Sequence, residues 1–504
     1  MAKPTILFYL FFIISISAVA QMTNYKNPYW DTYHASLGVQ GTLTDADHVP
    51  FWMRANQFGS VPLPGASGTF IGSVRKDYDS SVQHLADWGA SAEIRADAGN
   101  GSRATLIEGY AKLRVSIFEL KAGRVKDITG LVDSTLSTGS FSVSGNALGI
   151  PKVQVSIPNY WSLPIFGKLF AVQGSFSVGY VGNVPVTVKS VPDSIRLKTY
   201  YHQLSFFGRL GQPDWRLKLY GGINHEVFWG GEREFTGPRF QLSGFKTFEY
   251  AVIGKTYLGS KVGNHLGSLD VGAEYNFDNV RLFLYRQSFY DEGALSKLAN
   301  IADGLNGISL TNTTDTDDED DDGFHGHGRI QWRKIVFEFF YSKDQAGYPD
   351  SRRTNSGDEN YYNNYQYSEG WSYKGAGLGN PLISPYTTTR NGQAHDPHDY
   401  FINNRVAAFH VGIEGSVNDI WVSARATYSF NYGTFGTSIW GYSTGGSFHS
   451  PSYGIFKEVR QFSSIVQLAK ALDNGYIVGV DAALDSGRLL YNTAGLILRL
   501  TKKF

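Results

Sequence analysis

The feature that most constrains this chain is an alternation of apolar and polar residues that recurs in many segments, including the last one. At the C-terminus, one face carries Ala494, Leu496, Leu498, Leu500, Lys502 and Phe504, and the other Thr493, Gly495, Ile497, Arg499, Thr501 and Lys503. A period of two is typical of a β-strand with one apolar face. Residues 88–98, 269–277, 407–414 and 420–428 repeat it, with charged residues on the polar side. This pattern favours a barrel with lipid outside and a polar lumen.

The N-terminus predicts export. Lys3 precedes an apolar run at 6–19, and Ala18-Val19-Ala20 forms a small-residue cleavage site before Gln21. Residues 1–20 are therefore predicted to be a signal peptide rather than an anchor helix, which needs roughly 20 apolar residues. No long apolar run follows Gln21. Because lipid offers no partner to unpaired backbone groups, a membrane-spanning chain of this kind must close into a barrel.

Composition narrows the function classes. Lys+Arg and Asp+Glu balance at 45 each, so no net charge attracts nucleic acid. Aromatic residues reach 15% while charged residues make up only 18%, and strands favour aromatic residues. There is no cysteine, which excludes disulfides, thiol chemistry and Cys-ligated metals. We predict no catalytic residue, metal or cofactor.

The chain divides into the signal peptide (1–20), a short periplasmic segment (21–32) and an outer-membrane β-barrel (33–504) of about eighteen antiparallel strands, with long extracellular loops folding over or into the lumen. Strands are predicted near 33–43, 67–77, 86–98, 102–115, 117–125, 150–157, 168–180, 197–209, 214–224, 267–277, 279–289, 325–333, 335–343, 404–415, 418–429, 455–468, 475–485 and 488–500. An even count puts both termini in the periplasm.

The connections support this count, because short and long ones alternate as expected for periplasmic turns and extracellular loops. Tight turns at 211–213, 277–279, 416–417 and 473–475 fall on the inside. The long connections 44–66, 126–149, 225–266, 290–324, 344–403 and 430–454 all fall on the outside.

Several motifs carry possible chemistry. Asp318, Asp320, Asp322 and Gly323 imitate half of a calcium loop, but Arg329 stands where the bidentate Glu belongs, so a solvated extracellular loop is favoured. His225-Glu226 begins like a zinc-protease helix but lacks the second His. His325 and His327 share a strand face without a third ligand, which favours lumen lining over metal.

The pairs His395-Asp396 and His398-Asp399 suit hydrolysis in principle, yet no nucleophile motif accompanies them, so a hydrogen-bonded loop network is preferred. The loops themselves are rich in aromatic and amide residues, notably at 51–59, 224–231, 361–367 and 371–381. Such residues can stack on sugars and hydrogen-bond their hydroxyls. They can equally form an interfacial girdle or a lumen plug.

Some of these strings resemble the capsule assembly Wzi family in the form common among Bacteroidetes, and the resemblance covers nearly all of the mature chain. They are the strings at 50–59, 225–231, 263–267, 361–364, 370–375, 378–381 and 403–405. The resemblance implies an eighteen-stranded outer-membrane barrel that acts as a lectin, holding capsular polysaccharide at the cell surface. The chain departs from the enterobacterial pattern because 21–32 leaves no room for a periplasmic helical bundle.

From the resemblance and the loop residues we expect a monomeric, plugged barrel that binds surface polysaccharide without enzymatic activity and contacts outer-membrane lipid and lipopolysaccharide. The expected glycan contacts are Arg54, Asn56, Glu226, Trp229, Tyr361, Trp371, Asn380 and Arg405. Arg54 and Arg405 would pair carboxylates, while Trp229 and Trp371 would stack. The alternatives are a porin or substrate-specific channel, a hydrolase built on the His395 or His398 couples, and a barrel subunit of an export or motility assembly.

Overall fold

The computed structural model describes residues 32–79, 85–99, 102–187, 195–314, 330–352, 354, 357–444 and 447–504. Its main element is one eighteen-stranded sheet. In chain order its strands are β1 Tyr33–Thr44, β2 Ser67–Lys76, β3 Ala86–Gly99, β4 Arg103–Val115, β5 Phe118–Arg124, β6 Lys152–Ser162, β7 Phe170–Val186, β8 Ile195–Leu210, β9 Leu217–Trp229, β10 Asn264–Asn276, β11 Val280–Tyr290, β12 Gly304–Asn312, β13 Ile330–Tyr341, β14 Val406–Val417, β15 Ile420–Asn431, β16 Val459–Leu472, β17 Tyr476–Gly487 and β18 Thr493–Lys503.

The sheet closes on itself through its first and last strands. Each strand pairs antiparallel with its neighbour in sequence, and β1 pairs with β18 from Ser36 opposite Lys503 to Thr44 opposite Gly495. The Phe504 N–H donates to the Ala35 carbonyl just beyond this ladder. Closure leaves no open edge, so the backbone groups of the wall bond to one another.

The two faces of the wall differ in the way the alternation predicts. In β18, Leu498 and Leu500 are 49% and 40% exposed on the outer face, whereas Ile497 is 3% exposed on the inner face. The next inward residue, Arg499, forms an ion pair with Asp481 of β17. An apolar outer belt around a polar interior is the arrangement that a lipid bilayer requires of a barrel. The chain is therefore a multi-pass β-barrel of the outer membrane.

At some inward-facing positions of the wall a glycine leaves room for a loop to pack against the backbone. A Cβ at Gly412 would lie 2.8 Å from Leu136 Cβ, and one at Gly495 would lie 2.8 Å from Met53 Sδ. Real Cβ atoms do not come so close to neighbours, so Leu136 and Met53 can pack against the wall at these two positions only because a glycine stands there.

Helices are short and lie in the outer loops. They are α1 Phe51–Arg54, α2 Glu232–Thr236 and α3 Gly244–Ile253. Single 3-10 turns lie in the outer loops at Gly237–Arg239, Leu295–Lys297 and Phe435–Thr437, and in the periplasmic turns at Phe166–Lys168 and Asp473–Gly475. Two- and three-residue strands pair within the loops: Thr256–Tyr257 with Ser260–Lys261, Ser372–Tyr373 with Ala376–Gly377, Ser384–Pro385 with Phe401–Asn403, and Tyr442–Thr444 with Ser447–His449. Among the described residues, no helix has the length and apolar character needed to cross a membrane.

The predicted strand count is confirmed, but one strand is misplaced. The predicted strand 325–333 is wrong, because residues 330–333 belong to β13 and the missing strand is β12, inside the predicted outer connection 290–324. The polarity of β12 is inverted at its start, with Leu305 buried inside and Asn306 facing outward, so the usual alternation does not reveal it. Elsewhere only the strand bounds shift; β7, predicted to end at 180, ends at Val186.

This correction changes the side of the barrel on which β12 ends and β13 begins. Asn312 pairs with Val280 beside a tight turn, so β12 ends where the short turns lie, and Ile330 of β13 starts there too. The prediction that 290–324 is one extracellular connection is therefore wrong. The acidic tract 315–322, His325 and His327 lie outside the described residues, as do the signal peptide 1–20 and residues 21–31.

We expect Leu498→Arg to destabilise the barrel by about 2–4 kcal/mol, because it places a cation against the lipid near the middle of β18. Urea titration of the barrel folded into liposomes, followed by gel mobility without heating, measures the effect. Thr501→Arg, on the lumen side of the same strand, is the control and should stay close to the parent. Equal loss in the two variants would contradict the assignment of the outer face.

Candidate functional site

The loop at 125–151 crosses the lumen and bonds to the opposite wall. Its main anchor is Glu338 of β13, a buried carboxylate on the inner face. Glu338 accepts hydrogen bonds from the Ser137 hydroxyl (2.6 Å), the Thr138 N–H (2.7 Å) and the Thr138 hydroxyl (2.8 Å). The Tyr285 hydroxyl of β11 donates to the same carboxylate at 2.7 Å. One wall residue thus fixes the tip of the loop with charge-assisted bonds.

Neighbouring wall residues hold the same loop on both sides of this anchor. Asp270 of β10 accepts from the Leu131 N–H at 2.7 Å. On β14, His410 Nε2 donates to the Leu136 carbonyl at 2.6 Å. Phe141 stacks on Phe289 of β11 with ring centroids 4.1 Å apart. The loop is therefore fastened to five consecutive strands, β10–β14, because Ser309 of β12 also bonds to it, through Asp133.

The first outer loop, 45–66, fills the rest of the cross-section through α1. The Phe51 N–H donates to Asp485 of β17 at 2.8 Å, and Trp52 Nε1 donates to the Thr427 hydroxyl of β15 at 3.2 Å. The Arg425 guanidinium lies 4.7 Å from the Trp52 ring, a cation–π contact. This loop therefore seals the β14–β18 side of the lumen.

The loop at 342–405 packs above both of these. Trp371 Nε1 donates to the Ser142 carbonyl at 2.8 Å, and its ring stacks on Phe228 at 4.4 Å. Asn380 Nδ2 donates to the Gly139 carbonyl at 2.5 Å, and the Tyr362 hydroxyl donates to the Phe141 carbonyl. These three loops, 45–66, 125–151 and 342–405, together form what we call the plug.

Most of the eight predicted glycan contacts belong to the plug. Tyr361, Trp371 and Asn380 are buried, and the Tyr361 hydroxyl donates to Asp303 at 2.8 Å. Asn56 is half-buried and ties two loops together, because its Nδ2 donates to the Thr138 carbonyl at 2.9 Å. These side chains face other parts of the protein rather than solvent, and their contact with a glycan stays a prediction.

Of three further predicted contacts, two are buried and the third is half-buried. Arg405 is buried, with its guanidinium 3.8 Å from the Phe435 ring and bonded to the Lys343 carbonyl. Glu226 of β9 points inward and is fully buried. Trp229 ends the same strand facing outward, where it packs against Phe248 of α3 at 5.3 Å. Their contact with a glycan stays a prediction.

Arg54 is the exception, because it lines an open cleft at the extracellular rim. The cleft lies between the loops 45–66, 342–405 and 488–492. It is bounded by His48, Val49, Leu63, Thr387, Thr388, Leu490, Tyr491 and Thr493, with Arg54 and Asp485 at its base. Tyr491 stacks on the exposed His48 ring at 4.0 Å, and the exposed Tyr386 precedes Thr387. Aromatic faces therefore flank a charged base.

The Arg54 guanidinium has no hydrogen bond or ion pair with any described residue. Asp485 attracts it, but no contact within 4 Å joins the two side chains, because one Asp485 oxygen already accepts from the Phe51 N–H. Burial lowers the pKa of Arg54, and Asp485 only partly opposes this effect. A guanidinium at the base of the cleft can bind an anionic group that enters from outside.

The cleft is small. It encloses about 40 Å³, against the roughly 10–15 Å³ that a cavity needs to hold one water molecule. A whole sugar ring does not fit, whereas a carboxylate projecting from one does. Sequence reasoning found Arg54 but missed Asp485, His48 and Tyr491, which meet Arg54 only through tertiary contacts and carry no local motif.

The remaining motifs are structural in this fold. His398 Nδ1 bonds to Asp396 at 2.8 Å on an exposed loop, while His395 Nδ1 donates to the Gln393 carbonyl at 2.9 Å. Asp399 is the acceptor for Asn360 Nδ2 at 3.1 Å. These contacts form a loop network, as expected. No group of three His, Cys, Asp or Glu side chains suited to a metal ion occurs within the described ranges.

Below the plug, the periplasmic half of the lumen wall is charged. Lys112 and Arg114 of β4 lie 4.1 and 4.5 Å from the Tyr78 ring, and the Tyr78 hydroxyl donates to Glu119 at 2.9 Å. On the far wall, Lys218 pairs with Glu274 at 3.6 Å. Positive and negative side chains are both present and mostly paired, so this region is a polar vestibule without a strong electrostatic potential of one sign.

No family model matches the chain, and no curated protein matches it. Solved structures of similar fold include OccAB2 of Acinetobacter baumannii, with 12% identity, 95% of this chain and 99% of that chain covered, and a TM-score of 0.45. OprD of Pseudomonas aeruginosa has 9% identity, with 94% of this chain and 95% of that chain covered, and a TM-score of 0.42. OccK5 of the same species has 10% identity, with 94% of this chain and 99% of that chain covered, and a TM-score of 0.43. At these levels the likeness says nothing about ligands. Strand pairing alone defines the class: a closed, eighteen-stranded outer-membrane barrel with its outer loops folded inward.

We expect Glu338→Ala to loosen the plug, because it leaves the Ser137 and Thr138 donors without their acceptor at about 1–3 kcal/mol each. In planar bilayers the parent barrel should pass no steady current, whereas the variant should show frequent openings. Glu274→Ala, which removes a lumen carboxylate below the plug, is the control and should stay closed. Openings of equal frequency in both variants would show that Glu338 does not hold the plug.

The outer loops should be more stable at low pH. Burial raises the pKa of Asp303 to about 8 and that of Glu359 to about 7, against about 4 in the unfolded chain. Between these values the folded state keeps its protons and the unfolded state does not, so loop stability falls as pH rises from about 4 to 8. Hydrogen exchange in 342–405, corrected for intrinsic rates, should be faster at pH 8.5 than at pH 5.

In that experiment Asp303→Asn should reduce the pH dependence, because the group that titrates is gone, while Glu359 maintains a remainder. Asp350→Asn, which alters an exposed carboxylate on the 342–405 loop, should leave the pH dependence intact. An unchanged pH profile in the Asp303 variant would exclude this carboxyl as the source.

Proposed function

We propose that this barrel binds surface polysaccharide at its extracellular face as a monomer and without enzymatic activity, holding capsule or a related glycan at the cell. The observation that carries the proposal is the unpaired guanidinium of Arg54 at the base of a cleft that opens to the outside. The resemblance of the loop strings to the capsule assembly Wzi family supports the same role.

The chemistry of the cleft suits an acidic saccharide. A carboxylate entering it would meet the Arg54 guanidinium, and a bidentate pair of this kind is strong and directional. The ring that bears the carboxylate would remain above the cleft, against the faces of Tyr491 and His48. Thr387 and Thr388 on the rim can donate to or accept from sugar hydroxyls.

The plug favours attachment over transport. Both halves of the lumen cross-section are occupied by loops that bond to the wall through buried side chains such as Glu338 and Thr427. A ligand at the cleft therefore meets a rigid support. Because the loops are already fixed, little conformational entropy is lost when they contact a ligand.

A substrate-specific channel is the second candidate function. It is favoured by the charged vestibule below the plug, where Lys112, Arg114 and Glu119 line a polar lumen. Rings of charge in a lumen select solutes in known channels. Steady current through the parent barrel, in place of the silence expected above, would support this candidate.

We expect Arg54→Gln to weaken binding of an acidic capsular fragment about tenfold or more, because a hydrogen bond to a charged group contributes about 1.5–3 kcal/mol. A glycan array on the refolded barrel, followed by titration of the best acidic fragment and its carboxyl-reduced form, measures this effect. The reduced form should bind the parent and the variant equally weakly.

Arg352→Gln is the matched control, because Arg352 is an exposed arginine on the 342–405 loop away from the cleft. It should bind like the parent. Absence of glycan binding by the parent barrel, together with unchanged capsule retention after deletion of the gene, would overturn the proposed function. Glycan binding that is unchanged in Arg54→Gln would overturn only the assignment of Arg54 as the binding site.

A further inference from the structure

The outer face of the wall carries a groove that the proposed function does not use. It encloses about 870 Å³ on the lipid side of β10–β16 and lies toward the extracellular ends of most of these strands. Small residues such as Ala273 and Ala426 form its base, and bulkier outward residues such as Leu284 and Phe337 border it. Its position places it against the outer leaflet.

A single row of paired residues runs along this groove. Neighbours in the ladder are Arg286 of β11 with Asn306, Asn306 with Phe339, Phe339 with Phe409, Phe409 with Tyr428, and Tyr428 with Phe462 of β16. All six of these residues line the groove. The row thus joins a cation at one end to four aromatic rings.

Arg286 is the unusual member of the row. Its guanidinium bonds only to neutral groups: the Asn306 side-chain oxygen (2.6 Å), the Ile301 carbonyl (2.6 Å), the Asp303 carbonyl (3.2 Å) and the Ser288 hydroxyl (3.3 Å). Among the described residues, no acidic side chain lies within 4 Å of it. The Asp303 carboxylate is turned away and accepts from the Gln345 N–H instead.

A cation on the lipid-facing side of a barrel is unfavourable unless an anion meets it. Inside the lumen the comparable cations find protein partners, as Arg499 does in Asp481. Arg286 has no acidic oxygen within 4 Å among the described residues, although Asp303 attracts it from farther away, and its neighbours orient the guanidinium at the edge of the groove. An anionic lipid headgroup can therefore supply a close counter-ion.

We propose that this groove binds a phosphorylated, multiply acylated glycolipid of the outer leaflet, with a phosphate at Arg286 and acyl chains along Phe339, Phe409, Tyr428 and Phe462. The groove spans six strand spacings of about 4.8 Å, roughly 29 Å, which is wider than a lipid with two chains requires. A second outward cation, Arg460, stands near the other end above Phe430 at 5.3 Å, where the exposed Glu458 pairs with it at 3.4 Å. A second phosphate would have to replace this exposed pair, so Arg286 is the main phosphate contact.

The test measures lipid retained on the purified full-length barrel. After exchange into mild detergent, native mass spectrometry counts bound diphosphorylated lipid A on the parent and on Arg286→Gln. Loss of one charge-assisted contact should reduce retention about tenfold. Arg196→Gln, which changes an exposed outward arginine on β8, is the matched control and should retain lipid like the parent.

A second variant keeps Arg286 and blocks the groove. Ala426→Phe adds bulk at the base of the groove without touching the lumen side, and it should lower retention to a similar extent. This variant decides the matter if Arg286→Gln fails to fold. Added monophosphorylated lipid A should compete less well than the diphosphorylated form.

Two results would overturn the proposal. One is retention unchanged in the groove-blocking variant and in any folded Arg286 variant. The other is displacement by phosphatidylglycerol as effective as that by diphosphorylated lipid A, which would assign the groove to ordinary phospholipid.

Discussion

Lipid provides no hydrogen-bond partner to the backbone, and this single constraint shapes the molecule. The hydrogen-bonded ladder between β1 and β18 satisfies this constraint, because it pairs the first strand with the last and removes the open edge of the sheet. Once the wall is closed, each outward side chain meets lipid and each inward one meets the lumen. The charged residues of the alternating strands, such as Arg499 and Asp481, can then only face inward, where they pair.

A lumen lined with polar groups would be costly to fill with apolar loops, and the plug avoids this cost. Its segments present backbone N–H groups and hydroxyls to wall carboxylates, as Thr138 does to Glu338 and Leu131 does to Asp270. Its aromatic residues stack on one another and on inward rings, as Phe141 does on Phe289. Buried polar groups that are bonded in this way specify one arrangement of the loops.

Two of the cations that lack an acidic partner carry the ligand proposals. Arg54 faces the extracellular cleft and Arg286 faces the outer leaflet, and neither has an acidic partner within 4 Å among the described residues. Lumen arginines such as Arg499 are instead bonded to an acid, and Arg425 packs beside the Trp52 ring. Ligand chemistry on this barrel is therefore expected where pairing stops, at the rim and on the lipid face.

The sequence by itself determined the class of fold, because a period of two with charges on one face has few physical solutions in a chain without long apolar runs. It also determined seventeen of the strand positions, to within a few residues, and singled out Arg54. It failed at β12, where buried Leu305 and outward Asn306 invert the pattern. Only the tertiary structure decided which loop residues are exposed. Tyr361, Trp371 and Asn380 have the composition of a binding surface, yet they are buried because the loops turn inward, and loop direction depends on contacts more than a hundred residues apart.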